Sequence, residues 1–374
     1  MDFLASFAEY YYFVYWFIVL MMTIKQFNTI NNYPRNTLTE KVYAYQAVLI
    51  FLMFYTFLWG LRPLNTGCFG DTDNYVRTYR NLQNFGAFDM QGSEEGGSDW
   101  LFYAIEKFCA QTIDIHIWLL LMMCCYIIPM YKGCKQIDMK HGALLILFCI
   151  GAFEFYTFSV NGIRNGIACS IIIMAIAVLC KKKILMAAIL AFIATGFHKS
   201  ALLPAAAMFF TYFVRKPLYM YIVWIGAIGI SLVFGEQIDA FLSAISYDPR
   251  MADNLQNDYA DEQLMEHRFR WDFLLYSSMP ILLAWYTIFK RKLYDTTYII
   301  LLGTYMYANS FWVLAIRAIF SNRIAYLSWF IYPIVLAYPL LNFPVFKHKH
   351  NKKTALILLA HFGFTTVMWL LTII

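Results

Sequence analysis

The stretch Asn161 to Pro204, NGIRNGIACSIIIMAIAVLCKKKILMAAILAFIATGFHKSALLP, decides how the chain is read. An apolar run follows Arg164, three lysines interrupt at Lys181 to Lys183, and a second apolar run ends at Phe197, His198, Lys199 and Ser200. At 1.5 Å per residue each run makes a helix of roughly 21 to 25 Å, close to what a tilted or thinned bilayer crossing needs. Short lysine-rich connections stay in the cytoplasm. The stretch therefore predicts a hairpin whose turn lies inside and whose open end returns Arg164 and His198 to the outer face. Ionisable groups at a membrane's edge are costly to hold there, which makes both functional candidates.

Composition extends this reading to the whole chain. Hydrophobic residues are 61% of the 374 and charged residues 14%, with a mean hydropathy of +0.55. That lies well outside a soluble globular mixture and predicts an all-α, polytopic integral membrane protein. Twelve apolar runs can be read as crossings, at about 8–24, 42–61, 115–131, 141–158, 163–180, 184–197, 199–214, 218–234, 271–289, 296–314, 323–341 and 354–373. The runs at 184–197 and 199–214 are short and nearly abut at His198, so they read equally as a re-entrant or broken pair, and the count spans about 10 to 13. Residues Met1 to Phe13 carry no basic leader and no small-residue cleavage site, so the first crossing is expected to remain. The eight cysteines form no CxxC and no cysteine-histidine cluster. Most lie in apolar runs, where cysteine acts as a small hydrophobe, and no structural metal is expected. A disulfide is open only to Cys68 and Cys109.

Charge tests the topology independently. With the N-terminus outside, the inner connections collect 18 of the 29 basic residues and only Glu40, Asp138 and Asp295 of the 23 acids. The net charge of +6 is then a topology signal, and nucleic-acid binding has no support. Only three of those inner basic residues are arginine. Nine of the outer ones are: Arg62, Arg77, Arg80, Arg164, Arg250, Arg268, Arg270, Arg317 and Arg323. A planar guanidinium binds phosphate or carboxylate bidentately, as lysine does not, so the outer face reads as built to hold an anion.

The chain is expected to be one integral domain, 1–374, with two larger outer loops. The first, 62–114, passes through a flexible GSEEGGS at Gly92 to Ser98, after which Trp100, Leu101, Ala104, Ile105 and Phe108 share one face of an interfacial helix. The second, 235–270, ends in Arg268 and Arg270 before Trp271.

The hairpin resembles the EpsG-like family of bacterial polysaccharide polymerases, within the wider Wzy group. The matching residues are Ile163, Arg164, Ile167 and Ala168 opening one crossing, the basic turn, and then Phe197, His198, Ser200, Ala201 and Leu202. Asp71, Asp73, Tyr75 and Tyr79 resemble the family's early loop, and Arg323, opening RIAYLSWFIYPIVLAYP, resembles its late arginine-led crossing. The position after the arginine, often glutamine, is Asn165; the segment that usually reads Glu-Pro-Gly-Phe is represented by Ser98, Asp99, Trp100 and Leu101.

The resemblance implies a GT-C-like membrane glycosyltransferase in the bacterial plasma membrane, active on its extracytoplasmic face. It would join lipid-linked oligosaccharide repeat units, the donor being a glycan on a polyprenyl pyrophosphate and the acceptor a sugar hydroxyl of a second unit. Its expected associates are the lipid bilayer and other polysaccharide-export components, with no cofactor and no metal. On that reading Arg164, Arg317 and Arg323, with Arg268 and Arg270, stabilise the departing pyrophosphate. His198 is the first candidate base, and Asp71, Asp73 and Glu154 are the carboxylate alternatives. The bland readings are a topology charge or a Glu154 ion pair for Arg164, a helix-end hydrogen bond for His198, and turn chemistry for Asp71 and Asp73. Other classes remain open: a lipid-linked oligosaccharide flippase or transporter, an O-antigen-ligase-like enzyme, or an O-acyltransferase. The ionisable residues gather at the outer edge and the halves are unrelated, which disfavours a carrier.

Overall fold

The computed structural model describes residues 6–31, 38–85, 99–245, 269–318 and 321–373, and among them every regular element is helical. The chain divides into two compact units, Met1–Ala201 with Leu340–Ile374, and Leu202–Pro339. The first contains α1 (Tyr11–Asn31), α2 (Leu38–Gly60), α3 (Thr72–Phe85), α4 (Trp100–Ala110), α5 (Ile115–Ile137), α6 (Gly142–Ile150), α7 (Phe153–Val160), α8 (Ile163–Cys180) and α9 (Ile184–Phe197). The second contains α10 (Leu202–Phe213), α11 (Pro217–Ile245), α12 (Trp271–Trp285), α13 (Thr296–Leu314) and α14 (Ser321–Trp329). The unit boundary at Leu340 falls within α15 (Tyr332–Asn342), and α16 (His350–Ile373) belongs to the first unit.

The protein is thus helical and polytopic. Seven described helices are long and apolar enough to cross a membrane, or eight if one sharply bent pair counts as a span. All twelve apolar runs contain helix, and the shortfall has physical causes. The 199–214 run holds a short 3-10 turn and then the 12-residue α10, and α9 has only 14 residues. Of α2, the stretch Tyr45–Gly60 is an apolar helix of shorter length among the described residues. In α13 the residues Thr304, Tyr305, Asn309 and Ser310 lower the apolarity, and all four are buried. Asn309 there accepts from Trp224 Nε1 at 2.8 Å and donates to Ser277 Oγ at 3.3 Å and Ser328 Oγ at 3.0 Å, tying α11, α12, α13 and α14 together. Buried polar groups joined in this way are satisfied rather than stranded.

The 141–158 run is the bent pair: α6 and α7 meet at 72° across Gly151 and Ala152. A bend frees backbone carbonyls, which lipid cannot satisfy. Here they are taken from outside the pair. Phe148 O accepts from His361 Nε2 at 2.9 Å, Gly151 O from Thr365 Oγ1 at 2.8 Å, and Ile150 O from the Tyr15 hydroxyl. So α1 and α16 hold the break open.

In the first unit α8 is the central helix, with 78% of its span buried. It lies so close to α5 that a methyl on Gly133 would sit 2.8 Å from Ile173 Cγ2 and 2.9 Å from the Met174 amide nitrogen. Small residues at such crossings let backbones approach. The α8–α9 hairpin forms as the sequence predicts, with Lys182 in the left-handed region (φ 62°) at its turn. That end of the unit collects basic and polar groups: Lys181 Nζ donates to Gln136 Oε1 at 3.1 Å, and Lys135 lies over the Tyr45 and Tyr131 rings. Asp138 accepts there from His141 Nδ1 at 3.0 Å and Asn342 Nδ2 at 2.7 Å. Burial works against that carboxylate, but these bonds hold it below its ordinary range.

Cys68 and Cys109 do not pair. Cys68 is exposed in the loop before α3, whereas Cys109 is buried on the inner face of α4, and both are free thiols. The α4 face predicted to be apolar is the outward one, with Trp100 and Phe108 exposed and Phe102, Glu106 and Cys109 turned into the unit. This is the disposition an interfacial helix needs.

Candidate functional site

The open end of the α8–α9 hairpin is where chemistry gathers. Arg164 lies in the first turn of α8, behind Gly162 at the N-cap. A cation there opposes the helix dipole and requires compensation. His198 ends α9 in an extended conformation (φ −153°, ψ 118°), so its ring leaves the helix, and a 3-10 turn, Lys199–Ala201, follows.

The residue that joins the two is Asp99, at the N-cap of α4. Its Oδ2 accepts from Arg164 Nη1 at 2.9 Å and lies 3.2 Å from His198 Nδ1; its Oδ1 accepts from the Lys199 backbone N–H at 3.0 Å. An aspartate at an N-cap ordinarily accepts from its own helix. Asp99 makes no such bond. Its whole capacity goes to residues more than sixty positions away. The carboxylate is 1% exposed, while the Arg164 and His198 side chains are 18% and 21% exposed. Burial would raise the Asp99 carboxyl, but the His198 hydrogen bond and charge, Arg164 and the Lys199 amide outweigh it and hold it below the usual carboxylate range.

Two packing features fix the approach. A methyl on Gly196 would lie 2.8 Å from Leu101 Cβ and 3.1 Å from the Trp100 ring, so only glycine lets the start of α4 reach the end of α9. Around Arg164 the Tyr75, Phe102 and Tyr103 rings each lie 5.8 Å from the guanidinium carbon, and Tyr103 Oη accepts from Nη1 at 3.0 Å. Planar cations are favoured over aromatic faces, and the cage restricts the guanidinium to few orientations. On the other side of the imidazole, Ser200 Oγ lies 3.2 Å from His198 Nε2.

The remaining sequence candidates have other surroundings. Glu154 is buried in the first turn of α7, just past the bend, and the carboxylate seen to bond Arg164 is that of Asp99. Asp73 accepts from the Asn65 and Gly67 amides, each at 3.1 Å, and so ties the turn before α3. Asp71 is exposed; its amide donates to Asn161 Oδ1 at 2.9 Å, and its carboxylate accepts from Asn74 Nδ2 at 3.3 Å. Neither bonds Arg164 or His198 directly, although that loop packs beside the start of α8. Gly70 (φ +54°) meets Asn161 there, where a Cβ would come within 2.7 Å of Oδ1.

The arginines that the sequence predicts to lie outside also divide by role. Arg62 is fully buried and donates to Trp59 O at 2.6 Å and to Thr72 Oγ1 from both Nε (3.1 Å) and Nη2 (2.9 Å). It fastens α2 to α3, and burial lowers its pKa to about 10. In the second unit Arg270 forms a bidentate ion pair with Asp272 (2.7 and 3.0 Å) and covers the Phe273 ring. Arg317 lies 5.7 Å from the Phe269 ring centroid, and its buried Nε has no hydrogen-bond partner among the described residues. It packs on Gly235, where a Cβ would come within 2.5 Å of that nitrogen. Arg323 is exposed in the first turn of α14. Arg268 lies outside the described residues. Among those described, no group of three His, Cys, Asp or Glu could hold a metal ion.

Sequence reasoning named Arg164 and His198 but gave Asp99 no role. The available signal was its place in the segment that stands for the family's Glu-Pro-Gly-Phe. Tyr103 and Ser200 carried no chemical signal apart from their neighbours.

No curated protein and no solved structure in the comparisons matches this chain. The sequence profile of the EpsG family does match it, over residues 45–373, a range that includes Arg164, Asp99 and His198. The chain belongs to the EpsG family, whose members are Wzy-type polysaccharide polymerase-like proteins.

Proposed function

We propose that this protein polymerises surface or exopolysaccharide repeat units, transferring a glycan from a polyprenyl-pyrophosphate donor to a sugar hydroxyl of a second lipid-linked unit. The observation that carries the reading is Asp99 buried between Arg164 and His198, which puts a guanidinium and an imidazole in one half-exposed site at the end of the hairpin opposite the lysines. The charge asymmetry supports placing that end on the extracytoplasmic face of a bacterial plasma membrane, with the N-terminus on the same side. Membership of the family supports a GT-C-like arrangement, and the twelve apolar runs of the sequence support more crossings than the seven or eight longest helices supply.

In this reading the acceptor oxygen attacks the donor's anomeric carbon as its proton passes to His198 Nε2. The bond from that carbon to the pyrophosphate oxygen breaks, the electron pair stays on the pyrophosphate, and Arg164 stabilises the charge that develops there. Arg317 and Arg323, with Arg268 and Arg270, are proposed as further anion contacts. Asp71, Asp73 and Glu154 are secondary base candidates. Other export components are the expected associates.

Purified protein given lipid-linked repeat units in detergent tests this directly. A ladder of longer glycans is expected. No ladder, together with translocation of the same units in vesicles, would overturn polymerisation in favour of transport. In cells, Arg164→Ala or His198→Ala, inserted normally, should leave single unpolymerised units at the surface.

A further inference from the structure

We propose that Asp99 is a positioning residue that sets the tautomer of His198, so that the proton sits on Nδ1 and the lone pair on Nε2 faces an incoming hydroxyl. The inference rests on the polymerase reading only for the identity of that hydroxyl as a sugar's.

Three observations carry it. Asp99 withholds its carboxylate from its own helix, where an N-cap aspartate ordinarily bonds, and places it against Arg164, His198 and Lys199. The carboxylate is buried, and its partners keep it ionised, so it can only accept; the Nδ1 it faces at 3.2 Å must then donate. In the neutral ring the second nitrogen, Nε2, is thereby left as an acceptor, and it faces a hydroxyl, Ser200 Oγ at 3.2 Å. A ring nitrogen that a serine hydroxyl can address is one a substrate hydroxyl can address. The same carboxylate offsets the positive charge that forms on the ring when the hydroxyl proton arrives, and passes no proton itself.

The backbone bond from Lys199 gives the geometry its rigidity. Asp99 holds the ring and also the first amide of the turn that carries Ser200, so the imidazole and the hydroxyl beyond it are referenced to one carboxylate. Arg164 shares that carboxylate, which couples the site's anion-binding group to its base. The charged and titratable groups that face Asp99 are Arg164 from α8, Tyr103 from its own helix through Arg164, and His198 with the Lys199 amide after α9.

The test uses the full chain in detergent. Asp99→Asn offers an amide that donates to Nδ1 and so favours the opposite tautomer. With lipid-linked repeat units as substrate, kcat should fall on the order of 10²- to 10⁴-fold while KM stays within about twofold, and Asp99→Glu should recover part of the loss. Nitrogen-15 NMR of histidine-labelled protein, with the His198 signals identified by their loss in His198→Gln, reads the tautomer without activity. At a pH where the ring is neutral, the wild type should show a protonated Nδ1 and a bare Nε2, and Asp99→Asn should shift the population the other way. A wild-type ring protonated on Nε2 overturns the proposal, as does an unchanged tautomer in Asp99→Asn, a kcat loss under about threefold, or a rise in KM alone. If Asp99→Asn does not fold, the wild-type spectrum alone decides. Failure of the wild type to make a ladder would sink the polymerase reading and leave the spectrum to judge Asp99.

Discussion

Asp99 is the residue with most at stake, because it is a buried carboxylate whose three partners come from two distant segments, Arg164 at the start of α8 and His198 and Lys199 after α9. Removing one partner of a buried pair leaves the other charge uncompensated, at about 3–5 kcal/mol. Arg164→Ala should lie near the low end of that range, since His198 and the Lys199 amide remain, and thermal unfolding in detergent measures it. Arg164→Lys should keep most of the stability, yet lose polymer yield, because an ammonium cannot reproduce the planar fork. Acid dependence has a definite sign. A carboxyl lowered on folding contributes stability in full above its unfolded value, roughly pH 4, and loses it as pH falls through the lower folded value. The part of the stability gap between wild type and Asp99→Asn that this carboxyl's own titration supplies should therefore be fully present above about pH 4 and close only below it. A gap that closed near pH 6 would show that another group controls it.

At the scale of elements, the site is an encounter between three helix ends and a 3-10 turn, and glycine decides how close two of them come. Gly196→Val should be destabilising by about 1–3 kcal/mol through overpacking against Leu101 and Trp100, and should cost more activity than stability by moving Asp99 off His198. Wild-type ladder formation in that variant would count against the geometry. The hairpin also makes a sidedness prediction. In a cysteine-free background, a cysteine at position 199 should label from outside the cell and one at position 182 should not; the reverse would invert the topology. This hairpin was legible because its pattern is local, two apolar runs around three lysines. Asp99 was barely legible: apart from its place in the segment that stands for Glu-Pro-Gly-Phe, nothing distinguishes it from an ordinary N-cap, and its proposed role comes from contacts 65 and 99 residues away.

For the whole molecule, the bend between α6 and α7 shows how a buried break is tolerated. Its carbonyls are satisfied by Tyr15, His361 and Thr365 from the first and last long helices. Thr365→Val strands the Gly151 carbonyl and should cost about 1–3 kcal/mol, read as a lower unfolding temperature. The sequence alone determined the class, because lipid tolerates only helices with apolar faces and few charges. It also determined the contrast between the lysine turn of the hairpin and its open end, and the return of Arg164 and His198 to that one end, which follows from two apolar runs folded about three lysines. Only the tertiary structure decided which carboxylate stands between them, that Glu154 is buried beside a sharp bend and that Arg62 is a fastener. Each of those outcomes depends on where distant segments pack, and local composition carries no information about which buried charge another part of the chain will reach.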